Sequence, residues 1–506
     1  MTDGEGSGRA RRAGWGLAAI AGAKAWHILT GYGVAVLLPR ILGSPDVFGL
    51  YSKVMAALAI LNNVLVASAT QSVSKVASED PREAPRAYRK LLLLQVASGA
   101  MASGALFVAT PFVAKVHGDE ALVPLLRVVT LVPLCYSVHA AALGYLNGRR
   151  RFGAQAALDA AFYTLRTVGV LGGALLVGGA LGPICGFGAA AVLVALLALA
   201  FVGVGEGGGA PAYGRWIAFA APLWLHHAVV YCLIELDVQV LAKAVSELAR
   251  ESGAPARLAN ELANTQVGYY RAAQAFAFVP YQLSLALAFV VFPSISRATS
   301  AGDEDEARST IRGALRFSLL ALLGVAAPLA GAAGGVMRLA YPDEYLAGAP
   351  ALAVLAPGFV LCSLFVVLGA ILTGAGRPTK AAIIGALGLT VAVACTYSFV
   401  RRAGIGEHTL AAAALGTSAG MLVAFALAAG AVYSRFRTLF PIASVVRGAL
   451  AAAAAFGVAR FAPQRSAAEA ALALAAGALA YVVVLAATRE LSGVEASRLR
   501  RFLARR

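Results

Sequence analysis

The sequence predicts an all-α, polytopic membrane protein of about fourteen transmembrane helices, arranged as two six-helix lobes in parallel repeat plus two C-terminal helices. Three observations carry that expectation. The 506 residues are 60% hydrophobic and only 13% charged, where a soluble domain carries about 25% charged residues. Apolar runs of about 18 residues or more recur along nearly the whole chain, each long enough to cross a hydrocarbon core of about 30 Å as a helix. Several short motifs also recur once, in the same order and at a nearly constant separation.

The N-terminal lobe (1–204) is expected to hold spans at 14–38, 49–72, 91–114, 122–146, 154–177 and 182–204. The C-terminal lobe (217–434) holds spans at 217–242, 267–292, 315–337, 349–374, 381–400 and 409–434. Two further spans, 446–462 and 467–487, lead into a basic tail and make up 446–506. The first run is too long for a signal-peptide core and shows no convincing cleavage site. GGGA at 207–210 is followed by no helix-borne lysine, so it reads as a flexible connection between lobes. GDEDEAR at 302–308 reads as the solvated start of a helix. An even number of spans puts both termini on one side. Lys and Arg concentrate at the N-terminus, in the loops after even-numbered spans (Arg149-Arg150-Arg151 above all) and in the tail RLRRFLARR, which places both termini in the cytoplasm.

The repeat is read from five ordered matches. SVSKVAS (Ser72–Ser78) and SISRATS (Ser294–Ser300) close spans 2 and 8. Gly49-Leu50-Tyr51 matches Gly268-Tyr269-Tyr270, Asp119-Glu120 matches Asp343-Glu344, and Pro133 matches Pro357. Leu146-x-Gly148-x-x-Arg151 matches Leu372-x-Gly374-x-x-Arg377. A period of six spans keeps both halves in the same orientation, related by an axis along the membrane normal, with a cleft between them that rocking can open to either side.

The net charge of +17 sits in short loops and without an aromatic-interleaved basic face, which argues for membrane topology and against nucleic acid. The five cysteines lie inside apolar runs with no CxxC pair and read as small buried hydrophobes. Enzyme signatures are absent: there is no G-x-x-x-x-G-K-[ST], no H-E-x-x-H, no dinucleotide fingerprint and no loop large enough for a catalytic domain. His226-His227 is an adjacent pair, poor spacing for a metal. No cofactor and no metal are expected.

Ionisable groups inside a bilayer cost about 2.5–3.5 kcal/mol each on insertion scales, so each needs a reason. The first lobe carries Lys24, His27, Lys53, Arg127, His139, Asp159 and Arg166, and the second His226, His227, Glu235, Asp237 and Arg271. Lys24 lies too deep in span 1 to reach water easily, with His27 on the same helical face. It lines a cavity or forms a structural pair, Asp159 being the candidate partner. Lys53 and Arg271 snorkel from the outer ends of spans 2 and 8, or they join Lys24 around one polyanion site in the cleft. For Asp159, Arg166, Glu235 and Asp237, coupling of Na+ or H+ and structural pairing both stay open. Glu235 and Asp237 point to different sides of one helix and cannot both face one cavity.

Several stretches resemble the polysaccharide flippase branch of the multidrug/oligosaccharidyl-lipid/polysaccharide (MOP) exporter superfamily, related to lipid II flippases. They are LPRILGSPDVFGLY (38–51), LNGRRRF (146–152), FAAPLWL (219–225), ELDVQVLAK (235–243), VGYYRAAQAFAFVP (267–280), FPSISR (292–297), PDEYLAGAPALAVLAP (342–357) and LTGAGRP (372–378). The resemblance implies a monomeric two-lobe transporter in the bacterial inner membrane that moves an undecaprenyl-pyrophosphate-linked oligosaccharide between leaflets, of O-antigen, capsule, exopolysaccharide or lipid II type. It implies a cationic cavity to which Lys24, Lys53 and Arg271, with His27, contribute. An insertion over about 245–263 departs from the family pattern and bears on the outer surface above the second lobe. The rival readings are a multidrug/cation antiporter of the same superfamily, whose cavity should be acid-rich, a membrane glycosyltransferase or polymerase on the same lipid carrier, and a non-transporting scaffold.

Overall fold

The computed structural model describes residues 3–80, 82–207, 213–284, 295 and 303–490, without the side chains of residues 3–17, 213, 215, 218, 219 and 222. The second serine heptad with FPSISR, most of GGGA and the basic tail lie outside the described residues, Ile295 and Gly207 excepted.

The described residues form helices and connecting turns, with no strand among them. That is the form expected of backbone in lipid, where every N–H and C=O must find its partner within the segment. The first compact unit is Met1–Gly268. It contains α1 (Asp3–Leu42), α2 (Pro45–Glu79), α3 (Ala84–His117), α4 (Leu122–Val129), α5 (Val132–Gly148), α6 (Phe152–Val177), α7 (Leu181–Val202) and α8 (Tyr213–Glu251). α9 (Ala256–Ala277) begins in it and runs on into the second unit, Tyr269–Arg506. That second unit continues with α10 (Glu304–Gly331), α11 (Ala333–Ala340), a 3-10 turn (Asp343–Gly348) and α12 (Ala349–Gly374). It ends with α13 (Pro378–Ala403), α14 (Thr409–Phe436), α15 (Ile442–Phe461) and α16 (Ala467–Ala487).

Twelve helical segments among the described residues are long and apolar enough to cross a membrane, and they coincide with expected spans 1–6 and 9–14. The expected span 217–242 lies within the 39-residue α8. The expected span 267–292 starts in α9 and leaves the described residues at 285.

Local chemistry explains the element ends. Proline occupies the first turn of α2, α3, α5, α12 and α13, where its missing N–H costs nothing. α3 stops on Gly118, left-handed at φ 59°, whose N–H turns back to the Ala114 and Lys115 carbonyls. The acidic run at 302–308 does start a helix: the Asp303 carboxylate accepts from the Glu306 N–H at 2.8 Å, and Glu304, Asp305 and Glu306 fill the positive end of α10.

Between helices in lipid the hydrophobic effect supplies little attraction, so close backbone approach on small residues takes its place. α6 and α7 cross this way. A Cβ on Gly173 would stand 2.2 Å from the Gly182 carbonyl oxygen, and one on Gly182 would stand 2.3 Å from that of Gly173. Gly388 and Gly420 bring α13 onto α14 in the same manner, so equivalent helix pairs of the two halves use the same device.

The inserted segment at about 245–263 is helical. It forms the end of α8, a turn, and the start of α9, and it sits on the α3–α4 turn of the first unit. Arg250 Nη2 donates to the Gly118 carbonyl at 2.9 Å, and Asn260 Nδ2 donates to the same oxygen at 2.8 Å. Deeper in, α8 lies along α2, with Gln239 Nε2 donating to the Lys53 carbonyl at 2.8 Å. The start of α9 crosses the start of α2: a Cβ on Gly49 would stand 1.8 Å from the Asn264 carbonyl oxygen, and one on Gly268 would stand 2.1 Å from that of Pro45. These two glycines are a matched pair of the sequence repeat. α8, which the repeat counts as the first helix of the second half, is therefore by packing part of the first compact unit. Within the second unit, α15 and α16 pack on α10, where Tyr481 donates to the Leu320 carbonyl at 2.7 Å.

Candidate functional site: a basic and aromatic cluster on α1 and α6

α1 and α6 lie side by side, and Trp26 fixes their register by donating its indole N–H to Thr164 Oγ1 at 2.9 Å. That register brings Lys24 Nζ to 4.0 Å from Asp159 Oδ2 and 5.9 Å from the centre of the Tyr163 ring. His27, one turn after Lys24, packs on Tyr163 with ring centres 4.0 Å apart. Asp159, Tyr163 and Arg166 follow one another at helical spacing and share one face of α6. The pair is lopsided: Asp159 is buried, while the Lys24 side chain is 56% exposed. A carboxylate sealed in the protein thus holds an ammonium that remains open on the surface of the unit. Arg166 is half-buried and forms no hydrogen bond or ion pair among the described residues.

Behind this face, Phe162 links the cluster to α5, its ring centre 4.8 Å from Tyr163, 4.9 Å from His139 and 5.0 Å from Tyr136. His139 is buried, and neither of its ring nitrogens has a partner among the described residues.

Lys53 is placed differently. It is 2% exposed, and its Nζ lies 2.8 Å from Asp119 Oδ2 in the α3–α4 turn. The α8–α9 hairpin closes over that turn through Arg250 and Asn260. Lys53 therefore neither snorkels nor presents an uncompensated charge. Arg271 belongs to the second unit, where its Nη1 donates to Gln274 Oε1 one turn along α9. Glu235 and Asp237 are both buried on α8, and Asp237 accepts from the Val238 N–H at 2.8 Å. His227 Nδ1 faces Ser68 Oγ at 3.3 Å. Among the described residues, no three His, Cys, Asp or Glu side chains are grouped to hold a metal ion.

Of the sequence-derived candidates, the structure brings together Lys24, His27, Asp159 and Arg166. Sequence reasoning missed Tyr163, the ring shared by Lys24 and His27, although its place four residues after Asp159 on one face was legible. It also missed Asp119 as the partner of Lys53, because that contact joins a helix to a distant turn.

Residues 37–350 match the family described as "Polysaccharide biosynthesis protein", which is more than half of the chain. The chain belongs to that family. No curated protein matches it by sequence. Among solved structures, this family member is similar to "Lipid II flippase MurJ, inward closed conformation", with a TM-score of 0.72 at 13% identity over 93% of this chain and 99% of that one. It is also similar to an inward-facing "multidrug resistance MATE family transporter of the MOP superfamily", with a TM-score of 0.62 at 14% identity over 81% of this chain and 95% of that one. The outward-facing form of such a transporter gives 0.57 at 15% identity over 83% and 93%. At these identities the likeness is one of fold. The family member is a multi-pass membrane protein with the MOP-type transporter fold.

Proposed function

We propose that this protein flips a polyprenyl-diphosphate-linked oligosaccharide across the bacterial cytoplasmic membrane by alternating access, with both termini in the cytoplasm and the monomer as the working unit. The observation that carries this reading is the Lys24 cluster. A cation deep in an apolar span costs free energy unless an anion or water compensates it, and here the ammonium is half-open while its aromatic and acidic neighbours are fixed. In a medium of low dielectric, such a charge attracts a diphosphate far more strongly than it would in water. Family membership supplies the glycan end of the proposal. The polyprenyl tail stays in lipid while the headgroup crosses beside Lys24 and His27. Lys53 serves as a structural latch through Asp119. Of Glu235 and Asp237 on α8, which point to different sides of the helix, one is a carboxylate for coupling Na+ or H+ and the other pairs structurally.

The test is leaflet transfer of a fluorescent polyprenyl-diphosphate sugar in proteoliposomes. Wild type should transfer it, Lys24→Arg should retain part of the rate, and Lys24→Ala should lose at least about tenfold, the scale of one charge-assisted contact. Undiminished transfer by Lys24→Ala removes Lys24 from the path. Failure of wild type to transfer the lipid, together with extrusion of cationic dyes, replaces the proposal by a multidrug antiporter.

A further inference from the structure

We propose that Arg166 grips the phosphate of the cargo and that Asp159 is an internal stand-in for that phosphate, occupying Lys24 until the cargo displaces it. This rests on the reading of the protein as a carrier of a lipid-linked diphosphate, and it assigns the charge chemistry within that site.

Depth comes first. α6 is 26 residues long, about 39 Å from end to end, and Arg166 lies near its middle, roughly 15–20 Å from either end. That is farther than an arginine side chain extends, so snorkelling does not hydrate it. An ionised guanidinium at such depth needs an anion or a chain of polar partners. The nearest carboxylate on its own face is Asp159, two turns earlier, and Asp159 is turned to Lys24 at 4.0 Å. The buried lysine of α2, Lys53, has its own acid in Asp119. Arg166 has none among the described residues.

Charge counting follows. Two cations, Lys24 and Arg166, face one carboxylate, Asp159, across one aromatic ring, Tyr163, which lies within electrostatic reach of all three. The cluster is one positive charge in excess. A guanidinium matches two phosphate oxygens at once through its planar fork, which an ammonium cannot do. A diphosphate carries more charge than Arg166 alone can balance, so it also recruits Lys24, and Asp159 is the group it must displace. The same competition works in reverse: once the headgroup has crossed, Asp159 takes Lys24 back and lowers the affinity of the site. The carboxylate limits how tightly the anion is held, which favours turnover over retention.

The experiment measures binding of three lipids of one chain length, a polyprenyl diphosphate, a polyprenyl monophosphate and the free polyprenol, to the full-length protein in nanodiscs. Wild type is expected to prefer them in that order. Arg166→Ala should weaken diphosphate binding by about 10- to 100-fold, the scale of a charged hydrogen bond, and leave polyprenol binding unchanged. Arg166→Lys should keep the charge preference at reduced strength. Asp159→Asn should bind the diphosphate several-fold more tightly and transfer it more slowly. Gel-filtration profile and melting temperature of Arg166→Lys and Asp159→Asn report that the fold is intact. Arg166→Ala and Arg166→Lys binding the diphosphate as wild type does would overturn the role of Arg166. Unchanged or weaker binding by Asp159→Asn would overturn the stand-in. Both outcomes leave the proposed function standing if wild type prefers the diphosphate, whereas wild type showing no preference among the three lipids sinks both.

Discussion

Two lysine–carboxylate pairs sit in the same compact unit and are built to opposite specifications. Lys53 and Asp119 meet at 2.8 Å with side chains 2% and 7% exposed, and the α8–α9 hairpin closes over the turn that carries the acid. Lys24 and Asp159 stand at 4.0 Å, with the lysine 56% exposed and only the carboxylate sealed. In sequence each is a lone lysine in an apolar span, Lys24 deep in the first and Lys53 near the outer end of the second. The difference teaches that two similarly buried carboxylates can hold a sealed cation or an open one. The sealed pair is a latch between α2 and the α3–α4 turn, and the open pair is the one we propose exchanges its anion.

The largest effect that sharpens the contrast is on stability. Asp119→Ala leaves Lys53 charged and buried without compensation, which costs about 3–5 kcal/mol, seen as a large fall in melting temperature of the purified protein in detergent. Replacing both partners (Lys53→Met with Asp119→Leu) should recover most of it. If the single change is silent, the latch reading is wrong. Next comes the crossing beside that latch. Gly268→Val forces α9 off α2, since a Cβ already meets the Pro45 carbonyl at 2.1 Å. A cost of about 1–3 kcal/mol is expected from overpacking, whereas Gly313→Ala on α10, with open space around it, should leave the melting temperature unmoved.

Smaller in stability but larger in transport is Lys24→Ala. Lys24 itself is half-open and stands 4.0 Å from Asp159, so its removal should move the melting temperature less than that of Asp119 does, while leaflet transfer falls. Equal losses of stability and transport would erase the distinction between the two pairs. The smallest effect concerns a third acid. Glu490, beyond the end of α16, is buried between Arg316 of α10 and Arg447 of α15 at 2.7 and 2.9 Å, with Ser444 also donating to it. Burial pushes its carboxyl up, but the hydrogen bonds from Ser444, Arg316 and Arg447 outweigh it and hold the group below the ordinary carboxylate range. A carboxylate depressed in the folded state stabilises above its unfolded value, about 4.3 for glutamate, and that contribution is lost as pH falls through the folded one. Proteolytic protection of α15 and α16 should therefore hold from neutral pH down to that range and decline only below it. In Glu490→Gln this acid-dependent step should vanish.

Much of the fold was legible because its signals are local. Span length and the acidic start of α10 depend on residues within one or two turns of each other, and the described residues have helices at thirteen of the expected spans and at the start of the remaining one. Gly49 and Gly268, one of the matched motif pairs, meet at one crossing, where each is the small residue that the approach of α2 and α9 requires. The candidate site was half legible. Ionisable type inside an apolar span flagged Lys24, Lys53, Asp159 and Arg166, but which acid meets which base depends on how two helices are rotated against each other, and a one-residue change of register reassigns the pairs.

By itself, then, the amino-acid order determined that this chain is a bundle of membrane helices, along which stretches most of them run, and which charges lie too deep to be incidental. The reason is that the bilayer acts on each span separately. The tertiary structure alone decided that α8 packs with the first unit, that the inserted hairpin rests on the α3–α4 turn, that Asp119 neutralises Lys53, and that Asp159 serves Lys24 and leaves Arg166 without an acid among the described residues. Those outcomes depend on which side-chain oxygen lies nearest each buried charge, and electrostatic attraction in low dielectric is set by that separation and not by distance along the chain.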